Sequence, residues 1–364
     1  MLKKSLLKML ILTAIAIFIN AEYAKAETKE PKGITLLSVA SEKKDSGNVK
    51  PAEPKYSIKT SGFFTVRGTW SDKAESISNF DLRFARVTFS GNLTQDFSYK
   101  FQSEFTGGGA VRVLDLFATW KKYSFLNISV GQQKRCFTFE NYIAPFAISV
   151  MDYSQSILLL SGFNDRVGEH ASGGRDVGIS AGGEFFNTGT HNFFKYALGV
   201  FNGQGINEKD KNNNKDVIGS ISIQPIKNLY IGGGYWNGKF GPDSVAVKRD
   251  RWTVGVNYTN NGYYLRSEYI SSKGGKLNNK NASLNSDGWY ALAEVPVLKK
   301  FGLAAKYDTY RDDKSFENAI TKYHAGINWY VNRYVILQGS YVFTNDKSKN
   351  QDYNNVAIQM TVRY

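Results

Sequence analysis

The chain has 364 residues, 46 Lys and Arg against 32 Asp and Glu, 22 Tyr, 24 Phe and 34 Gly, but only 7 Pro and 1 Cys. One cysteine excludes an internal disulfide framework, and abundant aromatics and glycines with few prolines point away from an ordinary soluble enzyme. The formal charge of +14 raises the expectation of acidic partners such as nucleic acid, lipopolysaccharide or small anions.

The N-terminus sets the compartment. Lys3, Lys4 and Lys8 precede a largely apolar run, Met9 to Ile19, and Ala24-Lys25-Ala26 offers a small-x-small cleavage site. This is the pattern of a secretory signal peptide over residues 1–26, because the run is shorter than the ~20 residues that span a bilayer. Removing it takes away +3 (four Lys minus Glu22) and leaves +11 on residues 27–364. Export argues against nucleic acid as the partner. Residues 27–55, rich in Lys, Glu, Ser and Pro, read as a mobile spacer.

From Tyr56 to Tyr364 apolar residues recur at alternate positions over runs of about ten, separated by Gly, Asn, Asp and Lys clusters, which is the signature of transmembrane barrel strands. Ile58, Phe64, Val66 and Trp70 oppose Lys59, Ser61, Thr65 and Arg67. Between Phe80 and Leu93 the apolar parity shifts from Leu82 and Phe84 to Ala85, Val87 and Phe89; a bulge near Ala85 explains this and turns both Arg83 and Arg86 to the lumen. Phe97, Tyr99, Phe101 and Phe105 oppose Lys100, Gln102 and Glu104. After the fifth strand comes the longest connection, Cys136 to Gly174, a size that marks a functional loop able to fold inward and narrow the lumen. Trp252, Val254, Val256 and Tyr258 alternate with Arg251, Thr253 and Asn257, and Tyr323, Ala325, Ile327 and Trp329 with Lys322, His324 and Asn328. The last run, Val356 to Tyr364, is the clearest and ends on an aromatic residue.

A soluble sandwich also alternates. The aromatics decide between them: Trp70, Trp120, Tyr258, Trp329, Phe343 and Tyr364 fall near strand ends, as in interfacial girdles. The expected fold is therefore all-β, an outer-membrane antiparallel barrel of about 16 strands, with short turns on one rim and long loops on the other. Its partners on the outside are outer-membrane lipids.

Parity assigns a lumen-facing basic set: Lys59, Arg67, Arg83, Arg86, Lys100, Arg251, Arg266, Lys306, Lys322 and Arg363. The inward acids are Asp81, Glu104, Asp115, Glu268, Glu294 and Asp308, and no inward apolar set large enough to plug the lumen is visible. Basic linings are how anion pores select, and the planar Arg fork suits phosphate. Lys134 and Arg135, where the fifth strand enters the long loop, are the candidate constriction, with Asp115 as a balancing carboxylate; a solvated ion-pair cluster is the alternative. Arg175 and Asp176 read as a rim ion pair. His170, His191 and His324 lack zinc-site spacing, Gly178-Ile179-Ser180-Ala181-Gly182 lacks the helix of a nucleophile elbow, and Cys136 reads as a buried or loop thiol. No catalytic residue, metal site or cofactor is expected.

Several stretches resemble the phosphate-selective porin O and P family. Phe80 to Arg86 with Phe89-Ser90-Gly91 is similar to its second strand; Val113 to Ala118 and Val130 to Lys134 are similar to the strands before its long loop; Gly174 to Gly178 resembles the next. The most specific stretch is Tyr196 to Gly203 with Asp210, Asn214 to Val217 and Pro225. The resemblance implies a homotrimer of 16-stranded barrels that takes up phosphate or related small inorganic anions past Arg and Lys side chains. This chain departs in having only 13 Arg among its 46 basic residues, so anion preference is the broader expectation and phosphate the narrower one. The competing readings are a general porin of low selectivity and an outer-membrane adhesin or structural barrel.

Overall fold

The computed structural model describes residues 56–107, 109–279, 281–314 and 318–364. The expected signal peptide and spacer lie outside them. Among the described residues sixteen strands close into one barrel, each antiparallel to its neighbours in sequence. They are β1 (Lys59–Ser71), β2 (Asn79–Asn92), β3 (Phe97–Glu104), β4 (Arg112–Tyr123), β5 (Leu126–Lys134), β6 (Arg175–Asn187), β7 (Asn192–Phe201), β8 (Asp216–Ile226), β9 (Leu229–Phe240), β10 (Val247–Asn260), β11 (Tyr263–Lys273), β12 (Asn285–Leu298), β13 (Phe301–Arg311), β14 (Ala319–Tyr330), β15 (Val335–Asp346) and β16 (Gln351–Arg363). The seam is β1 on β16, tied at its end by Tyr364 and Gly62, whose backbones exchange hydrogen bonds of 3.2 and 3.0 Å. Closure leaves no unpaired edge, which is what a sheet in hydrocarbon requires.

The alternation works as a two-sided surface. In β16, Ile358 is 50 % exposed on the outer wall while Gln359 is 4 % exposed inside. Leu198, Ile221, Ile231, Val254, Ile327 and Val356 line the same outer face, uncovered by protein, as a wall that hydrocarbon must cover. Stacked rings of Tyr123, Phe125, Phe185 and Tyr196 thicken the rim of short turns. That rim holds turns such as Asn261-Gly262, where both residues have positive φ (46° and 84°) as a tight hairpin of type I′ requires. The opposite rim carries the longer connections, including 202–215 and 274–284.

The bulge in β2 falls at Arg83, since Thr65 pairs with Phe84 and Val66 with Leu82. It sits two residues before the expected position. Arg83 and Arg86 both reach polar partners inside the barrel, as expected, but Phe84 leaves the lipid face and packs on Phe63, with ring centroids 6.2 Å apart.

The segment 135–174 folds into the barrel. It contains two short 3-10 turns, Glu140–Tyr142 and Pro145–Ala147, and helix α1 (Gln155–Leu160). Phe137, Ile148, Val150, Ile157, Leu160 and Phe163 pack on inward residues of β7 to β13: Phe201, Ile218, Trp236, Ile270, Tyr290, Leu292, Ala304 and Tyr310. This corrects the expectation that the lumen lacks inward apolar residues. The run Trp289 to Ala293 is a strand apolar on both faces, with Trp289 exposed toward lipid and Tyr290 buried under the loop, and so shows no alternation of polarity. Gly234 permits the close approach: a Cβ there would lie 2.8 Å from the Phe137 carbonyl.

Val254→Lys, at the centre of β10 on the lipid face, is expected to lower folding stability by ~2–4 kcal/mol. A urea titration in lipid vesicles, read by the heat-modifiable band shift, checks it.

Candidate functional site

The lumen is divided by the loop. On the loop side, three arginines hold it to the wall. Arg135 donates to Glu169 at 2.9 Å and Asp176 at 2.7 Å; Arg249 donates to Glu169 at 2.7 Å and Asp216 at 3.0 Å; Arg251 grips Asp165 at 2.5 and 2.7 Å. All three guanidinium groups lie 4.7–5.1 Å from the Trp236 ring, whose Nε1 donates to Asp216 at 2.8 Å. Water reaches none of these side chains. Two inward acids cap the loop backbone: Glu268 accepts from the amides of Phe139 and Glu140, and Asp308 accepts from Gln155 N at the start of α1. An acceptor at these first turns satisfies amides that lack intrahelical partners.

The other wall, from β1 to β6, is wet. Arg67 and Arg83 bind Asp152 of the loop at 2.8 and 2.6 Å, Arg86 binds Glu104 at 2.7 Å, and Lys100 and Arg175 share Asp115 at 2.7 and 2.6 Å. Lys134 donates to the Asn141 carbonyl and lies within charge range of Arg86, Lys100 and Arg175. Counting these groups gives six cations minus three carboxylates, or +3. In the pairs made by strand acids the cation lies nearer water, Lys100 at 31 % exposure over Asp115 at 2 %, whereas the loop acid Asp152 is more exposed than Arg67 and Arg83. The bulge has a use here, because it brings the Phe84 ring under both Arg83 and Arg86, 5.0 and 4.8 Å from its centroid.

Of the residues singled out by sequence, Arg67, Arg83, Arg86, Lys100, Asp115 and Lys134 come together on this wall. Arg135 and Arg251 belong instead to the buried anchor. Arg266 stands apart on β11, donating to Asn257 at 2.8 Å, and Lys306 sits beneath the loop with its ammonium on the Asp152 carbonyl at 2.9 Å. Arg175 and Asp176 do not pair with each other: Arg175 turns to Asp115 and Asp176 to Arg135. Ser180 donates to Gln133 at 2.8 Å, as an ordinary strand hydroxyl. Cys136 is enclosed against the Ile218 carbonyl, and burial pushes its thiol up to about 12. The loop acids Asp152, Asp165 and Glu169, with Arg249 and Trp236, were missed. Their signal was available, since Ile157-Leu158-Leu159-Leu160 inside the longest connection cannot face water and needs a wall to dock on.

The sequence pattern of the family described as phosphate-selective porin O and P matches residues 63–364. The chain belongs to that family. As a porin of this kind it is an outer-membrane barrel, and its solved likenesses are of the same architecture. The anion-selective porin from Comamonas acidovorans superposes with a TM-score of 0.63 at 14 % identity, over 85 % of this chain and 100 % of that one. OmpF of Salmonella typhi, solved with daunomycin, gives 0.64 at 13 % identity over 84 % and 97 %, and the trimer form of OmpT from Vibrio cholerae gives 0.59 at 12 % over 85 % and 100 %. These identities carry the fold alone. No curated protein sequence matches the chain.

In this porin, Arg249→Ala leaves Glu169 and Asp216 with less compensation inside the anchor, a change expected to cost ~3–5 kcal/mol and to free the loop. Single-channel records would then show larger, noisier conductance than wild type, and limited proteolysis would cut within 135–174. Acid should act late. Burial alone would raise the carboxyls of Asp152 and Asp165, yet Arg83 and Arg67 hold the first, and Arg251 the second, well below the usual carboxylate range. Such groups contribute fully above their unfolded value near ~4 and are lost only as pH falls through the depressed one. Protonation of Asp152 and Asp165 is therefore expected only below about pH 4, checked by infrared difference spectra of wild type against Asp152→Asn and Asp165→Asn.

Proposed function

We propose that this porin passes small inorganic anions, phosphate among them, by diffusion along the wall of β1 to β6. The single observation that carries the reading is the cluster on that wall in which six cations face three carboxylates, with Glu104 and Asp115 sunk behind Arg86 and Lys100. Permeating anions would touch Arg67, Arg83, Arg86, Lys100 and Lys134 in turn, with Asp115 fixing Lys100 and Arg175. Arg135 and Arg251 would act by holding the loop in place, and Arg266 as a minor charge on the facing wall. Several weak sites in series suit conduction, because an anion held tightly at one would not leave. Membership of a family described as phosphate-selective, and the likeness to the anion-selective porin of Comamonas, favour the same reading. We further propose a homotrimer in the membrane, as the family implies.

A general porin of weak preference is favoured by one observation: all but Lys134 of the six cations already have a carboxylate partner. Planar-bilayer recording under a KCl gradient separates the two. The expected result is an anion-selective reversal potential with chloride current blocked by low phosphate; anion preference without block indicates the general porin, and cation preference overturns both. Lys100→Gln should lower the anion-to-cation permeability ratio about two- to fivefold, the size of ~0.5–1 kcal/mol of charge interaction in a wet lumen.

A further inference from the structure

The loop carries four acids with different surroundings. Glu140, Asp165 and Glu169 are enclosed. The Asp152 side chain is 36 % exposed, and it alone reaches the wet wall. Its backbone is delivered there by Met151, a buried non-glycine residue at φ +67°, a conformation that an L side chain adopts only under constraint from its surroundings. Arg83 holds the Met151 carbonyl at 3.1 Å and Lys306 holds the Asp152 carbonyl at 2.9 Å.

The carboxylate is then bound as a free oxyanion would be. Arg67 meets it with both terminal nitrogens, Nη1 to Oδ1 at 2.8 Å and Nη2 to Oδ2 at 3.3 Å, while Arg83 Nη2 donates to Oδ1 at 2.6 Å. Arg83 does not depend on Asp152 alone for its placement, whereas the side-chain hydrogen bonds of Arg67 among the described residues go to Asp152. Arg83 is also fixed by Gln359 at 2.8 Å and by the Phe84 ring, and Arg67 Nε is a buried donor with no partner among the described residues. Removing the carboxylate would leave two adjacent arginines, Arg83 still held by Gln359 and Arg67 with unused donors.

We propose that Asp152 is a tethered counter-anion: its carboxylate occupies an oxyanion site formed by Arg67 and Arg83, and permeating oxyanions with two oxygens on one centre pass by displacing it. The inference rests on the anion-porin reading and adds the ligand class and the internal competitor. Exchange swaps one carboxylate or phosphate edge for another on the same fork, so the guanidinium groups are never left bare. The partly exposed Asp152 cluster is suited to this, whereas the enclosed pairs of Arg135, Arg249 and Arg251 are not. Spherical chloride cannot reproduce the two-oxygen contact with Arg67.

The test compares wild type, Asp152→Asn, Asp152→Glu and the double variant Arg67→Gln/Arg83→Gln in bilayers, with chloride current titrated by inorganic phosphate and, separately, by acetate. Unboiled gel mobility establishes that each barrel is folded. Asp152→Asn is expected to lower the half-blocking phosphate and acetate concentrations about fivefold, with Asp152→Glu close to wild type. Block by phosphate but not acetate would narrow the class to phosphate, and equal block by both would support the general oxyanion fork. Unchanged or weaker block in Asp152→Asn, while the double variant loses block, overturns the tethered-anion proposal and leaves the anion porin standing. If the double variant behaves as wild type, the fork is not an anion site and the tethered-anion proposal falls, while an anion-selective reversal potential would leave the anion porin standing on Arg86, Lys100 and Lys134. A rise in conductance to both ions at constant selectivity would make Asp152 a purely structural latch, which also overturns it.

Discussion

The cluster of guanidinium groups around Trp236 is the constraint on which the interior depends. A barrel of sixteen strands satisfies its own backbone, but it leaves a cavity that the apolar segment 135–174 must cross. Apolar packing holds that segment to β7 through β13 without specifying its position along the wall. Arg135, Arg249 and Arg251 supply that position, because each must find its carboxylate in a place where water cannot substitute. Ion pairs so deeply enclosed contribute little net stability against an apolar replacement, yet a displaced register would strand several charges at once. Their effect is to make one docked arrangement much better than its neighbours.

Docking the loop on one side divides the interior into a dry half and a wet half, and arginine does different work in each. In the dry half the side chains are locked between acids and an indole face. In the wet half, Arg67, Arg83 and Arg86 keep partial contact with water and rest on Asp152, Glu104 and the Phe84 ring. The residue type is the same and the local dielectric differs, so the same charge is structural in one place and available to a solute in the other.

This division explains which parts were readable beforehand. The outer wall was legible because lipid demands an apolar side chain at every second position, a rule each strand obeys independently, as β16 does from Val356 to Tyr364. The wet wall was legible through the same parity, which brought Arg67, Arg83, Arg86 and Lys100 to the lumen correctly. The dry half was not. Its inward residues, Ile218, Trp236, Ile270 and Tyr290, are apolar because a distant loop covers them, and alternation within a strand carries no information about what lies across the lumen. Arg251 had the right parity and Arg135 was picked out at the entry to the loop, but both lie in a different environment, since their burial depends on Glu169, Asp176 and Asp165. The β2 bulge was placed two residues late because Phe84 was assigned to lipid, when its role is to support Arg83 and Arg86 from inside.

A pore that favours anions has two opposed requirements: enough positive charge to admit them and too little free positive charge to hold them. The wet wall meets the first through its excess of cations and the second by giving most of them a carboxylate partner. Those partners differ in freedom. Glu104 is tied to Arg86 and to the Ala85 amide, and Asp115 is shared between Lys100 and Arg175, so both stay with the wall. Asp152 belongs to the loop and faces water, at the point where the loop crosses from β13 to β1 and β2. A counter-charge on a separate element can be displaced without disturbing the wall, and that places the control of affinity in the loop and the supply of charge in the strands.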